Sequence, residues 1–349
     1  MKNKRTYIAA LATAFIATAC HHVEEWDGGM HGNFDALWTI VDEHYCFFDE
    51  KNVDWHSVGQ KYRAQINPEG METTEFFTLC GQMLNELQDG HVNLSSSFNT
   101  SYYRRWWSDY PQNFDERLMQ QYYLDFDYAQ SGPLSYKVLH DSIGYMRVST
   151  MASGIADGAL DVSLMSFADA GCPALVIDVR DNGGGMMTTT ERLVSRFIDK
   201  RILAGYMTHK TGPAHDAFSE PYPFHYDTAE GHVRWLRPVV LLTNRSTFSA
   251  ANSFVSIMRL LPNVRIVGDT TGGGSGMPYS SEIPCGWAVR MSACPVYDAE
   301  MRLTEHGVAP SDGCKIDLDP QKALQGTDTM LDFALGLAAD WREWYTRPQ

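Results

Sequence analysis

The sequence predicts an α/β protein in which a small N-terminal helical subdomain precedes a core of alternating strands and helices. Between about residue 140 and residue 318, short apolar runs typical of buried strands alternate with helical segments. Upstream of this region, apolar residues recur every three or four positions, which is the period of an amphipathic helix. A hydrophobic fraction of 44% supplies enough apolar side chains for a large buried core.

Three amphipathic helices are predicted upstream, and we assign residues 33–94 to a helical subdomain. Their apolar faces consist of Phe34, Leu37, Trp38, Val41 and Tyr45, then Val58, Tyr62 and Ile66, then Phe76, Phe77, Leu79, Met83, Leu84 and Leu87. Residues 95–142 are rich in aromatic side chains without a clear period, so we expect an irregular connector. Its aromatic rings could line a binding groove, but packing between neighbouring parts of the fold is the simpler interpretation.

Residues 143–349 are expected to form the α/β domain. Its strands are predicted at residues 143–149, 174–179, 239–243 and 264–267, and its helices at residues 191–198, 249–261 and 329–345.

The N-terminus has the features of a signal peptide over residues 1–19: a positively charged start and an apolar run over residues 8–16. The sequence Ala17-Thr-Ala-Cys20 resembles a bacterial lipobox, which implies cleavage before Cys20 and lipidation of its thiol. An ordinary secretory signal is the alternative. The lipobox implies a protein of the bacterial cell envelope, lipid-anchored to the outer membrane on its periplasmic or surface face. Residues 20–32 would then be a tether.

Composition excludes several classes of partner and cofactor. The chain has 28 Lys and Arg against 43 Asp and Glu, a formal net charge of -15, whereas binding nucleic acid needs clustered basic residues. The sequence has neither a CxxC pair nor an HExxH motif, which are common sources of zinc ligands. Its glycine-rich turn also lacks the GK[ST] ending of a nucleotide-binding P-loop. We therefore expect no nucleic acid, metal or cofactor.

Ser249 follows a buried strand and a short polar turn, and it lies where a helix begins. At that position its hydroxyl would be presented at the rim of the sheet, next to helical N–H groups that have no intrahelical acceptor. Such N–H groups can stabilise an oxyanion. Serine is also a common helix cap, so this pattern alone leaves a structural role open for Ser249, and Ser246 could equally be the cap.

Three further segments carry residue types suited to catalysis. Gly183–Gly185 follow a buried strand, where glycines let the backbone approach a ligand and form an anion nest. His91 follows the third predicted helix, and histidine is the natural base at neutral pH. Glu305 could orient an imidazole. Taken singly, each has a structural interpretation as a tight turn, a polar loop residue or a surface carboxylate.

Taken together and in this order, the segments resemble the C-terminal processing peptidase family. That family includes tail-specific proteases, the catalytic part of tricorn protease and the modules of interphotoreceptor retinoid-binding protein. The matching stretches are Asp89-Gly-His91, Ile143-Gly-Tyr145, Ile177-Asp-Val-Arg-Asp-Asn-Gly-Gly-Gly185, Thr243-Asn-Arg-Ser-Thr-Phe-Ser-Ala-Ala251, Val267-Gly-Asp-Thr-Thr-Gly-Gly-Gly274 and Glu305-His-Gly-Val-Ala-Pro310. The resemblance covers residues 85–318. It implies a crotonase/ClpP-like αβ core, with residues 143–349 as the peptidase catalytic domain.

The resemblance points to one branch of the family. Tail-specific proteases pair their serine with a lysine, whose position here is taken by Gly274. The tricorn-like branch uses a histidine and a glutamate, and His91 and Glu305 match those positions. That branch also has a serine just before its histidine, where this chain has Gly90.

The resemblance implies a serine peptidase with a Ser-His-Glu arrangement. Ser249 would be the nucleophile, His91 the base and Glu305 the group that orients the imidazole. The N–H groups of Ala250 and Gly184 would form the oxyanion hole.

Many family members carry a PDZ domain, and a complete domain of about a hundred residues does not fit between His91 and residue 143. Recognition of a free C-terminal carboxylate by such a domain is therefore not expected. The expected substrates are peptides or unfolded proteins in the cell envelope. Two alternatives remain open: a catalytically inactive peptide- or ligand-binding lipoprotein of the same fold, and an acyl (ester) hydrolase with the same nucleophile.

Overall fold

The computed structural model describes residues 26–140 and 142–345 and confirms the α/β class. The predicted leader, the lipidation residue Cys20 and the first part of the predicted tether lie outside the described residues. No helix in the described ranges is both long enough and apolar enough to cross a lipid bilayer.

The described helices are α1 (Met30–His44), α2 (Trp55–Arg63), α3 (Thr73–Asn85), α4 (Arg105–Ser108), α5 (Glu116–Tyr122), α6 (Asp157–Asp169), α7 (Met187–Val194), α8 (Ala250–Met258), α9 (Pro320–Ala323), α10 (Thr329–Ala339) and α11 (Trp341–Trp344). The strands are β1 (Asn93–Ser95), β2 (Thr100–Tyr102), β3 (Ala129–Ser131), β4 (Leu134–Leu139), β5 (Ile143–Val148), β6 (Leu175–Asp178), β7 (Ile202–Met207), β8 (Tyr222–Tyr226), β9 (Val239–Thr243), β10 (Val264–Gly268), β11 (Gly276–Glu282) and β12 (Ala288–Tyr297).

One six-stranded sheet, the core sheet, has the order β10-β9-β6-β5-β4-β3. Its four strands from β10 to β5 are parallel neighbours, and every residue of β5, β6 and β9 is buried. This explains their continuous apolar runs, because helices cover both faces of a parallel sheet. The antiparallel strands β3 and β4 complete its edge, although they lie inside residues 95–142, predicted as an irregular connector.

A second sheet, the outer sheet, has the order β2-β1-β12-β7-β8, with β11 also paired to β12. The N-terminal helices share a hydrophobic core with this sheet, in which Phe77 of α3 lies 5.1 Å from the Trp287 ring and Val289 and Met291 of β12 are buried. The helical subdomain is thus packed against the β11–β12 hairpin. Its first helix begins at Met30, inside the predicted tether.

A buried ion cluster ties the core sheet to α10. The Arg180 guanidinium, fully buried, donates to Asp178 at 2.7 Å and to Asp328 at 2.8 Å. Asp328 also accepts the first N–H groups of α10, and Tyr145 donates its hydroxyl to Asp178 at 3.0 Å. Arg180 therefore compensates two buried carboxylates, of which Asp178 also has the Arg147 guanidinium at 3.8 Å.

We expect Arg180→Met to lower the free energy of unfolding by about 3–5 kcal/mol, because it leaves the buried Asp328 without its cation and Asp178 with only the more distant Arg147. Arg105→Met is the control, since Arg105 and Asp109 form an exposed pair whose loss costs at most about 1 kcal/mol. Urea unfolding of both variants measures the difference. Equal losses for the two would show that the cluster does not stabilise the fold.

Candidate active site

Ser249 occupies the sharp turn between β9 and α8. Its backbone has φ 56 and ψ -124, a combination that residues with a side chain rarely adopt. The turn is held by hydrogen bonds from Ser249 N–H to Gly273 O at 2.8 Å and from Phe248 N–H to Asn182 O at 3.0 Å. A strained turn from strand to helix presents a serine oxygen at the edge of the sheet.

His91 lies two residues before β1 and reaches Ser249 from the outer sheet. Its Nε2 is 2.9 Å from Ser249 Oγ, and the residue is almost completely buried. The Asp89 carboxylate accepts the His91 backbone N–H at 2.7 Å, which fixes the loop that carries the imidazole. The structure therefore brings together a hydroxyl and an imidazole that are far apart in the sequence.

The surroundings of His91 favour its neutral form. Burial lowers the pKa of His91 to about 4, because the charged imidazolium loses its hydration. Asp89 opposes this shift, whereas Arg290 and Lys51 add to it. A neutral imidazole has a lone pair free to accept the Ser249 proton.

Glu305 lies in the same region but is not hydrogen bonded to His91. Among the described residues, its carboxylate has two partners: Lys51 Nζ donates to Oε1 at 2.8 Å, and Ser275 N–H donates to Oε2 at 2.8 Å. Burial and the negative charge of Asp89 raise the pKa of Glu305 to about 7, against the effect of Lys51. The structure thus differs from the expected direct contact of Glu305 with the imidazole, because the cation from the α1–α2 loop takes one carboxylate oxygen and a backbone amide takes the other.

The group facing His91 Nδ1 is the hydroxyl of Ser292 on β12, at an Oγ–Nδ1 distance of 3.5 Å. Neither Ser292 nor Lys51 is predicted from the sequence. No local motif surrounds either residue, and their contacts depend on long-range pairing that a single sequence does not reveal.

The predicted oxyanion donors lie against each other. A Cβ atom at Gly184 would be 2.8 Å from Ala250 N, and Gly184 has φ +90, so this close approach requires glycine. The Gly184 N–H, however, donates to Asn182 Oδ1 at 3.0 Å, so it is not a free donor in this structure. Within the described part of the chain, the amides of Ala250, Gly183 and Gly185 have no hydrogen-bond acceptor.

Two aromatic rings close one side of the histidine. The Phe248 ring lies 4.8 Å from the His91 ring, and Trp106 stacks on Phe248 at 4.1 Å between ring centroids. Arg245 holds Trp106 by donating to its carbonyl at 2.6 Å. Beside these rings is a cleft of about 440 Å³, which Lys51 and other polar side chains line.

Comparisons with known proteins find similar domains and a similar fold. Residues 142–312 match the model of peptidase family S41, and residues 29–85 match the C1 domain of tricorn protease. The crystal structure of a candidate peptidase from Parabacteroides merdae ATCC 43184 is 44% identical, with a TM-score of 0.83 over 89% of this chain and 96% of that chain.

Two further proteins are similar to this chain at lower sequence identity. The carboxy-terminal processing protease CtpA of Bacillus subtilis (strain 168) is 24% identical over 197 residues, which are 54% of this chain and only 40% of that protein. The photosystem II D1 C-terminal processing protease is 14% identical and shares the fold, with a TM-score of 0.53 over 86% of this chain and 96% of that chain. Since the matched domains and a relative of 44% identity over nearly its whole length agree, this chain belongs to peptidase family S41, the family of the C-terminal processing peptidases.

Proposed function

We propose that this chain is a serine peptidase that hydrolyses peptide bonds in peptides or unfolded proteins of the bacterial cell envelope, with Ser249 as nucleophile and His91 as base. The observation that carries the proposal is the 2.9 Å contact between Ser249 Oγ and His91 Nε2 at a strained turn next to unengaged amides. A structural serine would need neither a neutral buried imidazole nor free N–H groups beside it.

The proposed mechanism follows from these atoms. His91 Nε2 takes the Ser249 hydroxyl proton as Oγ attacks the scissile carbonyl carbon. The Ala250 N–H and one unengaged amide of the Gly183–Gly185 turn would bind the resulting oxyanion, and each such donor typically lowers the barrier by about 3 kcal/mol. The protonated imidazole then gives its proton to the leaving amine, and water hydrolyses the acyl-enzyme by the same steps.

Glu305 has a different part in this proposal from the one expected of a direct Ser-His-Glu chain. Its carboxylate is paired with Lys51, so it would hold that cation beside the site rather than contact the imidazole. The proposed place of action is the outer membrane of a bacterial envelope, with the chain anchored through a lipid on Cys20. This part rests on the leader sequence alone.

Labelling with a fluorophosphonate probe tests the nucleophile. We expect the protein to be labelled at Ser249, and Ser249→Ala to abolish labelling because the attacking oxygen is lost. His91→Ala should slow labelling on the order of 10⁴-fold, because the base is lost. Mass spectrometry of the labelled peptide identifies the site, and Ser246→Ala is the control, since that hydroxyl lies in the same turn.

Each result of this experiment has a clear meaning. Labelling that persists in Ser249→Ala would refute the assigned nucleophile. Absence of labelling in the unmodified protein would favour the inactive binding protein. If Ser249 is labelled, digestion of a peptide library distinguishes a peptidase from an ester hydrolase, since only the former cleaves amide bonds.

The acidic limb of the pH profile tests the environment of His91. Because burial lowers the pKa of His91 to about 4, the base stays neutral and active well below the pH at which an ordinary histidine is protonated. We expect the labelling rate of Ser249 to fall as pH decreases, with a midpoint near 4. The pH profile is also measured in Glu305→Gln. The pKa of Glu305 is raised to about 7, so its titration falls within the pH range over which the labelling rate is followed. A midpoint near 6.5 in both proteins would contradict the buried, neutral imidazole.

A further inference from the structure

We propose that Ser292, rather than Glu305, is the group that positions the His91 imidazole, by accepting a hydrogen bond from Nδ1–H. This inference rests on the proposed function and deepens it. It assigns a positioning role to a residue on a strand that carries no sequence motif.

The register of the outer sheet places Ser292 opposite His91. In the antiparallel pair of β1 and β12, Asn93 lies opposite Arg290 and Leu94 opposite Val289. Because the strands are antiparallel, a step back along β1 corresponds to a step forward along β12. Two residues before Asn93, His91 therefore lies opposite Ser292, two residues after Arg290. The side-chain contact agrees with this register, since Ser292 Oγ lies 3.5 Å from His91 Nδ1.

The Ser292 side chain is held in place. The residue is fully buried, and its carbonyl accepts the Cys46 N–H at 3.1 Å. Gly276 lies directly over it, so that even a Cβ atom at Gly276 would be 2.6 Å from Ser292 Oγ. A buried hydroxyl with so little freedom is preorganised, and little conformational entropy is lost when it forms a hydrogen bond.

The two contacts of the His91 imidazole indicate which of its nitrogens carries the proton. For Nε2 to take the Ser249 proton, its lone pair must face Oγ, so a neutral His91 carries its proton on Nδ1. That N–H then needs an acceptor, and within the described ranges the hydrogen-bond partner of Nδ1 is Ser292 Oγ. The Glu305 oxygens are occupied by Lys51 and Ser275 N–H. A hydroxyl can accept as well as donate, so Ser292 Oγ is placed to accept from Nδ1–H and thereby to favour the tautomer that the reaction needs.

Two substitutions separate hydrogen bonding from packing. Ser292→Ala removes the acceptor and leaves a small gap, whereas Ser292→Cys fills the space with a weak acceptor. We expect both to lower kcat roughly 10- to 100-fold with KM within about twofold, because the lost bond matters most when the imidazole is charged in the transition state. The matched control is Ser280→Ala on β11, whose exposed hydroxyl faces solvent.

The decisive measurement is the tautomer of His91, read from its imidazole ¹⁵N chemical shifts and assigned by comparison with His91→Asn. We expect the Nδ1–H form in the unmodified protein and in Ser280→Ala, and a mixture of tautomers in Ser292→Ala and Ser292→Cys. Since this measurement needs no substrate, it remains informative if the protein cleaves no peptide. An inactive protein with a single tautomer would contradict only the proposed function.

Glu305→Gln tests the rival hypothesis that Glu305 orients the imidazole. If Glu305 orients the imidazole, this variant should change the tautomer while Ser292→Ala leaves both tautomer and kcat as in the unmodified protein. That result would overturn the role of Ser292. Recovery of full kcat in Ser292→Cys would also overturn it, because packing alone would then explain the residue.

Discussion

The antiparallel pairing of β1 with β12 brings His91, the proposed base, to Ser249, the proposed nucleophile. Ser249 follows β9 of the core sheet, whereas His91 precedes β1 of the outer sheet, and their contact spans 158 positions of sequence. The β1–β12 register fixes where His91 lies along the outer sheet. The glycine-rich segment before β11 links the Ser249 turn to the segment that carries Glu305. Gly273 O accepts the Ser249 N–H, and the Gly274 N–H donates to Glu305 O. The geometry of this candidate site thus depends on how two sheets are joined rather than on either one.

Burial gives this site its chemical character. Asp89, His91 and Glu305 are nearly or completely buried, and Lys51 is mostly so. In such surroundings an unpaired charge is unfavourable, so His91 is neutral and Glu305 keeps Lys51 close. The same low polarity strengthens any hydrogen bond formed to charge that develops during reaction. The hydrophobic core under the N-terminal helices lies next to this buried site, since it contains Val92 and Met291, the sequence neighbours of His91 and Ser292.

Much of the core sheet could be predicted from the sequence because its signals are local. The fully apolar run of β9, the polar turn and the following helix together located Ser249 at a strand-to-helix junction. The strand β3 was missed because it has only three residues, all exposed, and β4 because its residues do not alternate between buried and exposed. Helix α7 begins four residues before its predicted start, since tertiary packing overrides propensity at helix ends. The contacts of Lys51 and Ser292 lie 254 and 201 positions from their partners, so only the folded register reveals them.

The Phe248 ring explains why this site departs from both patterns of its family. A Cβ atom at Gly274, where the tail-specific pattern has lysine, would be 2.5 Å from Phe248 Cε2. A Cβ atom at Gly90, where the tricorn-like branch has serine, would be 2.9 Å from Phe248 Cζ and 2.5 Å from Trp106 Nε1. The stacked rings thus fill the space that either helper side chain would need. The hydrogen-bond partner of His91 Nδ1 comes instead from β12, the strand paired with β1. The hydroxyl of Ser292 is already there, and this makes the loss of both helper residues compatible with an oriented base.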